Sequence, residues 1–248
     1  MTKALDATRH KTNLTNILLD IYKNSSLSPT LGFKGGTAAL LFYGLPRLSV
    51  DLDFDLIEPE TIDSRELGKI IREMTKVLSA KFEIKDRSTK YNTLFWQVSY
   101  GAGLTRIKVE VSTRPAAFNR YNLIPFYGVT VKVLDIRDMI AHKMIAVMDR
   151  KTLANRDLFD VHYFLGLPAA GEINYDIIKD KTGKSPGEFY KSLLTFVNKV
   201  DSKSVLSGLG EILSDSQKDW VKAKLIMELK GLIQRQMDTM ASEKKQCL

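Results

Sequence analysis

Asp51 and Asp53 are separated by one residue, and Asp55 lies two further on. Residues 48–56 alternate, so Leu52, Phe54 and Leu56 point one way and the three aspartates the other, as in a strand. Two carboxylates at i and i+2 on one strand stand ~6–7 Å apart along it. Like charges that close repel, and strand interiors disfavour Asp. A hard divalent cation with oxygen ligands compensates for both. The alternative is the polar outer face of an amphipathic strand, but no Lys, Ser or Thr interrupts the aspartates.

Gly35-Gly36-Thr37 precedes this strand. A strand that runs into two glycines and a helix start lets backbone N–H groups approach a phosphate, and the helix N-terminus favours its charge. The Thr37 hydroxyl can cap the helix or bind a phosphate oxygen; an ordinary turn uses the same residues. The spacing is not that of a P-loop. Arg47, just before the aspartates, can touch phosphate or be solvated in a loop. Further on, Ile136, Met139, Ile140, Met144 and Val147 form an apolar helical stripe, and Lys143 interrupts it. A lysine there either snorkels out or is held by a triphosphate or a carboxylate. If it holds a triphosphate, Lys143→Met completes the stripe and is expected to keep or raise stability while activity collapses. Asp157 and Asp160 share one side of the next helix. Asp157 sits close enough to the helix start to serve as an N-terminal charge; Asp160 does not.

The elements that must position these residues follow from periodicity. Leu14, Ile17, Leu18 and Ile21 mark a helix over 11–23. A strand at 31–34, a helix at 37–43, the aspartate strand and a helix over 63–79 come next. Strands are expected at 82–85, 94–100, 106–111 and 129–134. After Leu134 the period changes from 2 to 3.6, with helices over 135–148, 156–165, 187–200 and 217–238. Residues 167–186, with Pro and Gly at both ends, read as a loose connection. Phe95 and Trp96 read as core. His10, His142 and His162 lack HxH or HExxH spacing and read as structural or exposed.

The run Phe33-Lys34-Gly35-Gly36-Thr37-Ala38-Ala39-Leu40, followed by Arg47-Leu48-Ser49-Val50-Asp51-Leu52-Asp53-Phe54-Asp55, resembles the first motif of DNA polymerase β-like nucleotidyltransferases. Its form is most similar to the AbiEii/AbiGii nucleotidyltransferase toxins of bacterial type IV toxin–antitoxin systems. Lys143 and Asn155-Arg156-Asp157-Leu158-Phe159-Asp160 resemble that family's lysine and Arg-Asp-x-x-Asp motifs. The resemblance implies an α+β fold: a minimal nucleotidyltransferase domain over 1–134, a mixed sheet with flanking helices, and a C-terminal helical domain over 135–248. It implies that Asp51 and Asp53 hold Mg²⁺ against an NTP, with Glu110 of the neighbouring strand as third ligand or general base. A cross-strand ion pair with a lysine is the plain alternative for Glu110. Gly35, Gly36, Thr37, Arg47, Lys143 and Asp157 are then nucleotide-binding candidates. Lys143 and Asp160 are expected to face the same nucleotide, in a cleft between the two domains. By analogy the acceptor is an RNA such as tRNA, the outcome is growth inhibition, and a cognate antitoxin is implied.

Composition and charge narrow the alternatives. The chain has 248 residues, 44% hydrophobic and 27% charged, which fits a globular protein. Its single cysteine, Cys247, excludes an internal disulfide framework. The longest apolar run is at 38–43, far short of the ~20 residues of a membrane span. The first residues lack a secretory signal, so a cytoplasmic protein away from membranes is expected. Residues 65–132 carry thirteen Lys/Arg against five Asp/Glu, an excess equal to the whole net charge of +8. A polyanion such as RNA suits that segment, as does plain solvation. Two rivals remain: the same chemistry on a protein or an antibiotic, and a nucleotide-binding module without turnover.

Overall fold

The computed structural model describes residues 6–149, 154–201, 204–210 and 212–246. Cys247 lies outside the described residues. The chain divides into two compact units, residues 1–135 and 136–248.

The first unit is built on a seven-stranded mixed sheet. Its strands are β1 (Leu31–Lys34), β2 (Leu52–Leu56), β3 (Glu83–Lys90), β4 (Thr93–Ser99), β5 (Ile107–Ser112), β6 (Tyr121–Phe126) and β7 (Val129–Leu134), in the order β3-β4-β5-β2-β1-β7-β6. The pairs β1–β7 and β2–β5 are parallel, and β1–β2 is antiparallel. Phe33, Phe54, Val109, Val111 and Trp96 are buried. Helix α1 (Ala7–Lys23) buries Leu14, Ile17, Leu18 and Ile21, and its Tyr22 ring meets Phe54. Asp6 caps that helix by accepting from the Arg9 N–H. Helix α3 (Ser64–Ser79), capped by Asp63, buries Ile70, Met74 and Leu78, and its Thr75 hydroxyl accepts from the Trp96 indole N–H. Helix α2 (Gly35–Phe42) starts directly on the two glycines, earlier than the periodicity suggests.

The second unit is helical: α4 (Ile136–Asp149), α5 (Asn155–Leu165), α6 (Tyr175–Thr182), α7 (Pro186–Asn198) and α8 (Asp215–Gln246). Met139, Ile140, Met144, Leu158, Phe164, Phe189, Leu193, Leu225 and Leu229 form its core. A capping box of Ser185 and Glu188 starts α7. Among the described residues no helix is long and apolar enough to cross a membrane.

Three sequence expectations need correction. The aspartate strand begins at Leu52, not at residue 48, so Asp51 lies just outside the ladder. The segment 167–186 is not a loose connection. It contains a 3-10 turn at Pro168–Gly171 and the whole of α6, capped by Asn174 and ended by Gly183 with φ +68°. Its apolar pair Ile177 and Ile178 is buried but too short to show a period. Strand β6 was missed because Pro125 argues against a strand; as an edge strand it tolerates one.

Candidate active site

The β2–β5 register makes Asp53 and Glu110 direct partners. Neighbouring strands lie about 4.8 Å apart, and partner residues point to the same face. Asp51, two residues earlier, lies toward that face. All three carboxylates are half-buried. Among the described residues Glu110 makes no ion pair. The Lys108 N–H donates to Asp51 Oδ1 at 3.3 Å, and Lys108 Nζ stands 3.8 Å from Oδ2.

Asp55 behaves differently. It is only 2% exposed. Lys34 Nζ lies 2.5 Å from its Oδ1, while the Tyr121 hydroxyl and the Asn119 amide donate to its Oδ2 at 2.7 and 3.1 Å. Burial and the adjacent Asp55 raise the Tyr121 pKa, so its phenol stays a donor. Asp55 is therefore a structural anion of the sheet.

The glycine turn is packed against the carboxylates. Gly35 has φ +79°, and a Cβ there would run into the Asp53 carboxyl group. A Cβ on Gly36 would lie 2.7 Å from Ser49 Oγ and 3.2 Å from the Arg47 guanidinium. Arg47 is not loop-solvated: it is 5% exposed and donates to the Leu48 carbonyl at 3.0 Å. The buried Thr37 hydroxyl donates to the Asp51 carbonyl. That uses its one proton, so in this arrangement the hydroxyl has none left to donate to a phosphate. Gly35→Ala is expected to lower stability by about 1–2 kcal/mol from the left-handed backbone alone, with a lower Tm in thermal denaturation and weakened transfer. A wild-type Tm would contradict the turn.

In the second unit Lys143 Nζ lies 2.7 Å from Asp160 Oδ2, with the two side chains 13% and 0% exposed. Of the open readings for Lys143, snorkelling is excluded and a carboxylate partner is present. With Asp160 as that partner the expectation for Lys143→Met reverses, because the change would take the lysine cation from a fully buried carboxylate. Asp157, in the first turn of α5, is buried too.

Sequence reasoning gave no role to Lys34 or Tyr121 and left His10 as structural or exposed; His10 is fully buried. His10 precedes Leu14 by four residues and so falls on the apolar stripe of α1, a signal of the same kind as Lys143. Among the described residues no three His, Cys, Asp or Glu side chains are grouped to hold a metal ion by themselves. Mg²⁺ needs less: one or two carboxylates, with phosphate and water completing its shell. Asp51 and Asp53 are hard oxygen donors beside a glycine turn that brings backbone close to Asp53, so the residues fit a nucleotide-bound Mg²⁺.

Known proteins share this fold. A candidate nucleotidyltransferase from H. pylori shares the fold with TM-score 0.64 and 21% identity, covering 95% of this chain and 96% of that one. JHP933 from Helicobacter pylori gives TM-score 0.65 and 19% identity, covering 98% of each chain. An antigenic nucleotidyltransferase-like protein from Paracoccidioides brasiliensis gives 0.50 and 16%, covering 86% of this chain and 97% of that one. No curated protein matches. The family description "Nucleotidyl transferase AbiEii toxin, Type IV TA system" matches residues 16–229, from within α1 to within α8. The chain thus belongs to the AbiEii nucleotidyltransferases, toxins of type IV toxin–antitoxin systems.

Proposed function

We propose that the protein transfers a nucleoside monophosphate from an NTP to an RNA acceptor such as tRNA, with Mg²⁺, and so inhibits growth. The observation that carries the reading is the Asp53–Glu110 register, with Asp51 beside it and the Gly35–Gly36 turn against Asp53. Asp51 and Asp53 would hold Mg²⁺, and Glu110 would serve as a further ligand or as the base that takes the acceptor hydroxyl's proton. Bound there, the metal supplies charge stabilisation at the α-phosphoryl group and its leaving pyrophosphate. The N–H groups at the start of α2 would bind phosphate oxygens. Arg47 would hold the turn in place and lend it positive charge. For Lys143, Asp157 and Asp160 the family motifs support a nucleotide role, with the Lys143–Asp160 pair fixing the ammonium. The acceptor oxygen attacks the α-phosphorus, the bond to the bridging oxygen breaks, and pyrophosphate leaves.

The RNA acceptor is supported by charge. Lys90, Arg106, Lys108 and Arg114 on and beside β3–β5 are exposed. Lys85 counts for less, because its Nζ pairs with Glu83 at 2.5 Å. If RNA phosphates meet these residues, tRNA affinity falls by ~0.7–0.9 log units per log unit of salt for each phosphate neutralised. Arg87→Glu with Lys90→Glu, at the β3 edge, is expected to flatten that slope in filter-binding titrations. NTP binding should hardly change, because β3 lies three strands from β2, about 14 Å, beyond the ~8 Å Debye length. A shallow slope that ignores the reversals would favour a protein or antibiotic acceptor.

A further inference from the structure

Asp51 poses a positioning problem. It precedes β2 by one residue and so sits outside the ladder that holds Asp53. A metal-binding carboxylate needs its backbone fixed to about 0.5 Å. Two side chains grip the peptide units on either side of it. Thr37 of α2 donates to the Asp51 carbonyl. On the other side, His10 Nε2 lies 2.9 Å from the carbonyl oxygen of Val50, which belongs to the peptide unit ending at the Asp51 nitrogen.

His10 is fully buried, and both its ring nitrogens are engaged. A carbonyl oxygen only accepts, so Nε2 carries the proton. Burial lowers the His10 pKa and favours the neutral ring, so Nδ1 accepts the hydrogen bond donated by the Tyr100 hydroxyl at 2.9 Å. Tyr100 is steadied in turn by the Arg9 guanidinium, 5.8 Å from its ring centroid. One tautomer is thus selected, and its single N–H is aimed at the peptide before Asp51.

We propose that His10 is a positioning residue of the active site: through the Val50 carbonyl it holds Asp51 where that carboxylate can share a divalent cation with Asp53. The inference rests on the reading of Asp51 as a metal ligand. It assigns α1 a task beyond covering the sheet. Loss of a group that orients a metal ligand typically costs 10–100-fold in metal affinity.

Two near-isosteres separate positioning from packing. The amide nitrogen of Gln is the same number of bonds from Cβ as imidazole Nε2, so His10→Gln keeps the donor to Val50 and loses the acceptor for Tyr100. Asn matches Nδ1 instead, so His10→Asn keeps the Tyr100 contact and loses Val50. The experiment is Mn²⁺ binding to the full chain, followed by electron paramagnetic resonance with the metal alone, with melting temperatures for all three proteins. The expected result is Mn²⁺ affinity within about threefold of wild type for His10→Gln and at least about tenfold weaker for His10→Asn. A merely structural histidine predicts equal losses, or the better affinity for His10→Asn; either result overturns the proposal, as does wild-type affinity in both variants. A wild type that binds Mn²⁺ yet labels no RNA defeats the proposed acceptor and leaves the His10 inference standing. A wild type that takes up no Mn²⁺, either alone or with a non-hydrolysable NTP, overturns both.

Discussion

Asp53→Ala is expected to abolish transfer while the protein stays folded. The side chain is half-buried on the carboxylate face, opposite the core side of β2, where Leu52 and Phe54 are fully buried. Its removal takes away one of two carboxylates proposed to hold the metal against the triphosphate. Metal stabilisation of the transferring phosphoryl group is worth several kcal/mol. Losing about 4 kcal/mol corresponds to roughly a thousandfold in rate. Initial rates of label transfer at saturating Mg²⁺, with circular dichroism as the folding control, make the measurement. A folded variant that labels acceptor at the wild-type rate would remove Asp53 from the site.

Lys143→Met has the largest expected effect on stability. Asp160 is fully buried and its charge meets Lys143 at 2.7 Å. Breaking such a pair from one side costs about 3–5 kcal/mol, because a fully buried carboxylate loses its lysine cation. In a domain of this size that lowers Tm on the order of 10 °C or more. An inactive Lys143→Met protein would therefore say little about nucleotide binding. The informative variant is Lys143→Met with Asp160→Leu, since replacing a whole buried pair by apolar residues is often neutral or stabilising. Recovery of Tm in the double variant without recovery of transfer would assign the pair to the nucleotide. Recovery of both would make it a structural tie between α4 and α5. A Lys143→Met protein as stable as wild type would contradict the buried pair.

The elements legible in the sequence are those whose pattern is local. The stripes of α1 and α3, the alternation of β5 and the change of period at α4 are consequences of one buried face per element. The nearness of Gly35, Asp51 and Asp53 was legible because one short helix joins them. Pairings between distant segments were not. Nothing near Asp55 says that Lys34 will pair with it while Tyr121 and Asn119 donate to it, which leaves Asp51, Asp53 and Glu110 as the metal candidates. A lysine on an apolar stripe signals a buried partner without naming it; Asp160 became that partner when α5 packed on α4. Strand β6 and helix α6 escaped because their apolar residues are too few to show a period against Pro125 and the flanking glycines.

The most direct test of nucleotidyl transfer to RNA uses two positions of the label. The protein is incubated with total RNA and Mg²⁺ and each NTP in turn, labelled in parallel at the α- and the γ-phosphate. Nucleotidyl transfer to RNA predicts α-label in RNA, γ-label released as pyrophosphate in equal amount, and loss of both with EDTA. It is contradicted if γ-label enters the acceptor, or if α-label appears on protein or a small molecule while the RNA stays unlabelled with every NTP.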